Sequence, residues 1–94
     1  MYTMKELNWD NEKNEWLKKN RNICFEDIAY AIENGFVLDN ISHPNSEKYP
    51  EQKILIIEID NYAFLVPYIE SNEEVFLKTI IPNRKATKRY LKKE

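Results

Sequence analysis

Arg84 and Lys85 begin the most cationic stretch of this 94-residue chain, "RKATKRYLKKE". From Arg84 onward there are six Lys or Arg and one Glu, a net charge of +5. The whole chain is −2, so residues 1–83 are about −7, with 8 basic and 15 acidic side chains. A guanidinium fixed in place offers a phosphate two parallel N–H donors, and a neighbouring ammonium adds a point charge. Pro82-Asn83 ends the apolar run "VFLKTII", and Arg84 and Lys85 follow at the strand-to-helix junction, where the sheet would fix their position. Lys88 and Arg89 continue the basic run. Lys78, Lys53 and Lys48 extend the patch if the fold gathers them. His43 is the only histidine. Its type alone has an unperturbed pKa near neutrality, which suits a general acid or base. Tyr49, Tyr68 and Tyr90 could stack on nucleobases, although half-buried packing explains tyrosines equally well.

These residues depend on elements that position them. The spacing predicts a helix from Arg84, with Ala86, Tyr90 and Leu91 toward a sheet. Lys85, Lys88 and Lys92 line its other side, and Arg89 falls on a flank. The same pattern also suits a solvated amphipathic helix with cations near its C-terminal end. Interspersed acids would mark a salt-bridged solvent face, and they are missing here.

Upstream, "LNWDNEKNEWLKKN" starts extended and turns helical at Asp10, a predicted N-cap. Trp16 and Leu17 give that helix an apolar edge, and Lys18 and Lys19 sit in its last turn. Trp9 and Trp16 read as packing anchors. "NICFEDIAYAIENG" is a second helix. Phe25, Ile28, Ala29 and Ile32 form its buried stripe, and Gly35 is its left-handed stop. Cys24 precedes it, where the helix dipole would favour a thiolate and where a half-buried stand-in for serine also fits.

A short strand at 36–38 leads into a loop containing His43. Three apolar runs near 53–59, 62–68 and 75–81 then predict an antiparallel meander. Asp60-Asn61 forms its first turn, since both residue types tolerate positive φ. Pro67 marks a strand end, a bulge or an edge. Lys78 would share a face with Phe76 and Ile80. The fold class is therefore α+β: one domain over 1–94, a small central antiparallel sheet (three-strand meander plus short N-terminal strand), two N-terminal helices and a C-terminal helix. The helices are expected on one face of the sheet.

The quoted segments resemble the BrnT family, toxin components of bacterial type II toxin–antitoxin modules. The resemblance rests on three motifs in order: Trp9-Asp10 with Lys13, Phe25-Glu26 within "ICFEDIA", and Arg84-Lys85-Ala86-Thr87 within "IIPNRKATKRY". It implies a RelE-like ribonuclease fold and metal-independent endoribonuclease activity that inhibits translation. It implies neutralisation by a small antitoxin encoded nearby, and contact with operator DNA only through the antitoxin complex. RNA is then the expected substrate. Arg84, Lys85 and His43 are the expected catalytic groups, and Lys78, Lys88, Arg89, Lys53 and Lys48 the expected RNA contacts. The acidic body suits an alternative, an inactive interaction module of the same fold that binds an antitoxin-like partner.

Composition narrows the field further. One cysteine allows no internal disulfide. Cys24 and His43 cannot alone make a structural zinc site, which takes four N or S ligands. A single glycine leaves no glycine-rich phosphate loop. No cofactor and no metal are expected. The first residues lack the basic and apolar regions of a signal peptide, and no apolar run has the roughly 20 residues of a membrane span. A cytoplasmic protein with no membrane partner is expected.

Overall fold

A computed structural model describes residues 5–42, 44, 45 and 47–91. The element order is β1 (Glu6–Trp9), α1 (Asn11–Arg21), α2 (Phe25–Glu33), β2 (Val37–Ser42), β3 (Gln52–Ile59), β4 (Tyr62–Glu70), β5 (Glu74–Leu77), β6 (Ile81–Pro82) and α3 (Arg84–Tyr90). The class is α+β, with three helices and a six-stranded mixed sheet in the order β1-β5-β4-β3-β2, and β6 also pairs with β4. Among the described residues no helix is long and apolar enough to cross a membrane.

Local chemistry sets the element ends. Asp10 caps α1, its Oδ1 accepting from the Glu12 N–H at 2.9 Å. Behind α2, Gly35 has φ +82°. Its N–H reaches the Ile32 carbonyl at 3.4 Å and the Phe36 N–H reaches that of Ala31 at 2.9 Å. This double return bond satisfies two carbonyls that the helix end leaves open. Asp60 and Asn61 both have positive φ, 53° and 64°, as a two-residue hairpin turn requires. The junction of α1 and α2 is held by Asn14, 3% exposed. Its Oδ1 accepts from the Phe25 N–H at 2.8 Å, and its Nδ2 donates to Glu26 Oε1 at 2.9 Å.

Alternation along β3 and β4 splits the core into two layers. Leu55, Ile57, Val66 and Tyr68 face α1 and α2, packing with Leu17, Phe25 and Ile28. Ile56 and Ala63 face the other way, against Ala86, with Leu65, Tyr90 and Leu91 beside them. The helices therefore cover both faces of the sheet, not one. Burial on both sides explains why "ILII" carries no polar alternation.

Five further expectations are corrected. The sheet is mixed, because β1 runs parallel to β5, with Leu7 opposite Val75. The second strand extends to Ser42, so pairing with β3 overrides the turn-forming residues Asp39 and Asn40, with an irregularity between Val37 and Asp39. The run 75–81 is broken into β5 and β6. Pro67 lies inside β4 at the break, where its carbonyl accepts from the Lys78 N–H at 2.8 Å. A strand residue points N–H and C=O the same way, so the donor that proline lacks is the one that would face Lys78, and the β4–β5 pairing ends there, after Tyr68 and Leu77. Lys78 sits in that gap, exposed, with its ammonium 6.0 Å from the Phe76 ring, rather than on the face of buried Ile80. Finally, Ala31 and not Ala29 completes the buried stripe of α2.

Candidate functional site

The seat of α3 is built from four hydrogen bonds. Asn83 caps the helix, its Oδ1 accepting from the Ala86 N–H at 2.7 Å. The Asn83 N–H donates to the Ala63 carbonyl at 3.1 Å. The Thr87 hydroxyl accepts from the Ala63 N–H at 2.9 Å and donates to the Asn83 carbonyl at 2.9 Å. Thr87 is 4% exposed, so these bonds are shielded from water. Both backbone groups of Ala63 in β4 are thus taken by the start of α3. At the far end the Tyr90 hydroxyl donates to Asp39 Oδ2 at 2.6 Å, tying the helix to β2. The Tyr90 bond, with the Asn40 N–H and nearby Arg89, holds the Asp39 carboxyl below its ordinary range, and the carboxylate pushes the Tyr90 phenol up.

A short helix fixed at both ends presents Arg84, Lys85, Lys88 and Arg89, all exposed. Arg84 and Lys88 line a cleft of about 430 Å³ together with Thr87 and the hairpin tip, Asp60, Asn61 and Tyr62. Lys85 and Arg89 lie outside this lining, and the Arg89 guanidinium is 5.9 Å from the Tyr90 ring. The acidic body does not stand wholly apart from these cations, because Asp60 shares the cleft and Asp39 anchors the helix.

The remaining expected residues are dispersed. Lys53 lines a separate cleft with Lys5, Glu51 and Glu70. It lies near the start of β3 whereas Asp60 follows its end, a separation of roughly 23 Å at the usual rise of a strand. Lys48 lies in the loop, 5.6 Å from the Tyr49 ring. Lys78 occupies the β5–β6 gap. His43 lies outside the described residues, as does Lys92. Tyr68 is 1% exposed and packs in the core, so it cannot stack on a base. Cys24 is the half-buried N-cap of α2, its Sγ 3.3 Å from Asp27 Oδ2. Burial pushes its thiol up, and the nearby carboxylates oppose a second negative charge. The thiolate that the helix dipole alone would favour is thus disfavoured, and the half-buried stand-in for serine is the reading that fits.

Two site features lay beyond the sequence reading. Arg21 donates from Nη1 to the Ile80 carbonyl at 2.7 Å, bridging α1 to the chain just before α3. Trp16 is 44% exposed rather than a packing anchor, with Lys13 and Arg21 at 4.7 and 5.1 Å from its ring. Trp9 does anchor, stacking on Phe25 at 5.5 Å. Asn83 carried a readable signal, a capping residue type just before the basic helix. The contact of Arg21 with Ile80, 59 residues away, carried none. No family model, curated protein or solved structure matches this chain.

Proposed function

We propose that this chain is the toxin of a type II toxin–antitoxin module, a BrnT-like, RelE-like metal-independent endoribonuclease that inhibits translation and is neutralised by a cognate antitoxin. The observation that carries this reading is the rigid presentation of Arg84 and Lys88 at one cleft, with Lys85 and Arg89 on the same helix. The motif residues behind the resemblance also divide by role. Trp9, Asp10, Phe25, Ala86 and Thr87 cap or pack the framework, while Arg84 and Lys85 are exposed.

In the proposed reaction a ribose 2′-hydroxyl loses its proton to a general base and attacks the adjacent phosphorus. The bond to the 5′-oxygen breaks, and that oxygen takes up a proton. The products are a 2′,3′-cyclic phosphate and a 5′-hydroxyl. Arg84, with Lys85 or Lys88, stabilises the charge that develops on the phosphate oxygens. His43 is the proposed proton carrier.

The alternative, a non-catalytic module that binds an antitoxin-like partner, is favoured by Asp60, whose carboxylate repels phosphate from the same cleft. Expression without a partner in a bacterial host separates the two. Growth arrest is expected, with cyclic phosphate ends on RNA cut in EDTA. Joint Arg84→Glu and Lys85→Glu should abolish both while leaving the fold intact. Joint Lys18→Glu and Lys19→Glu should do much less. Continued arrest by the Arg84/Lys85 variant at equal expression overturns the phosphate assignment. No arrest and no cleavage by the unaltered chain favours the interaction module.

A further inference from the structure

A second groove, of about 230 Å³, lies between α2 and the end of β3. Its apolar lining includes Tyr30, 65% exposed, and Phe36, 43% exposed. Its charged lining is Asp27, Glu58 and Asp60, with no cation. The two ion pairs found among the described residues, Lys5–Glu70 and Lys18–Glu15, engage none of these three. The groove is firmly framed. The Phe36 N–H is bound to Ala31 in α2, and the Phe36 carbonyl accepts from the Glu58 N–H of β3 at 3.0 Å. Backbone bonds on both sides thus hold an aromatic ring at the surface, where it gains little from burial.

We propose that this groove docks a segment of a partner protein that carries Lys or Arg beside at least one apolar side chain. The aromatics supply the contact area and the carboxylates select the charge. A second copy of this chain fits poorly. Its α3 has Ala86 and Thr87 buried and the Tyr90 hydroxyl committed to Asp39, and on α1 the cations Lys13 and Arg21 already lie over the exposed Trp16 ring at 4.7 and 5.1 Å, so neither element has cations to spare beside a free apolar side chain. The inference goes beyond the ribonuclease reading, because Arg84 takes no part in this groove. It stands or falls separately.

Amide NMR spectra of the full chain with three synthetic helical peptides test it. One bears Leu on one face and Lys on the other, the second has Glu for Lys, and the third has Ala for Leu. The Lys/Leu peptide should give saturable shifts centred on residues 27–36 and 58–60, and the Glu/Leu peptide none. The Lys/Ala peptide should bind about tenfold more weakly or worse, as should the Tyr30→Ala variant with the Lys/Leu peptide. Tyr30 is exposed enough for that change to spare the fold. Asp60→Asn keeps a residue type that tolerates positive φ and should also weaken binding. Unsaturable shifts spread over Glu12, Glu47 and Glu73, or equal binding of the Ala peptide or the Tyr30 variant, overturn the proposal. So do concentration-dependent shifts of the same residues without peptide, which would make a second copy the occupant.

Discussion

At the scale of single residues, Thr87 links the fold to the candidate site. Its hydroxyl is the acceptor for a buried Ala63 N–H and the donor to the Asn83 carbonyl. Thr87→Val keeps the shape and removes both roles, stranding a buried donor. A loss of about 1–3 kcal/mol is expected in a urea melt, against well under that for Thr87→Ser. Binding through Arg84 should weaken in step, since the N-cap turn loosens. The Asp39–Tyr90 bond makes a second prediction, in pH. Asp39 is depressed from its ordinary 3.8, chiefly by Tyr90, so its contribution is present above that value and lost as pH falls through the lower folded value. Tyr90 is raised from 10.0, chiefly by Asp39, so its contribution is present below 10.0 and lost as pH rises through the higher folded value. Tyr90→Phe should move the carboxyl titration of Asp39, followed by carbon NMR, upward toward the ordinary value. An unmoved midpoint would show that the bond does not form in solution.

At the scale of elements, α2 is the main prop of the larger core layer. Phe25 and Ile28 are fully buried there. Phe25→Ala or Ile28→Ala should cost about 2–5 kcal/mol in a reversible denaturant melt, since each leaves a cavity. A cost below about 1 kcal/mol would mean that the helix packs loosely on the sheet. The legible parts of this fold are those written in local chemistry. Asp10, Gly35 and Asp60-Asn61 punctuate the chain because capping and positive φ depend on neighbouring residues only. The same holds for the apolar runs of β3 and β4. What could not be read depends on distant partners. The parallel pairing of β1 with β5 joins segments more than 60 residues apart. The full length of β2 comes from its partner β3. The break opposite Pro67 follows from which neighbour that proline faces. The site divides in the same way. Arg84 and its fellow cations were visible as a charge run, but Asp60 enters their cleft only because the β3–β4 hairpin ends beside α3.

At the scale of the whole molecule, a net charge of −2 conceals two clefts of opposite character that meet at the hairpin tip, where Asp60 lines both. The larger cleft has Arg84 and Lys88, and the other has carboxylates and aromatics. The acidic body gives RNA little reason to bind elsewhere, so a short single strand should bind once, at α3. For single strands the logarithm of affinity falls with the logarithm of salt at about −0.7 per phosphate neutralised. Three or four contacts from Arg84, Lys85, Lys88 and Arg89 then give a slope between about −2 and −3. Joint charge reversal of Arg84 and Lys85 should flatten that slope by about 1.4 and lower affinity at every salt concentration. Asp60→Asn should raise affinity, since it removes the one carboxylate in the lining of that cleft, and it should do so most at low salt. Fluorescence anisotropy of a labelled oligonucleotide, measured from low to physiological salt, reads all three. A slope near zero would mean that phosphates are not what α3 meets. A slope steeper than about −4 would bring in cations beyond α3. Lys13 and Arg21 beside Trp16 are then the first to test, because Arg21 is already tied to the chain that leads into Arg84.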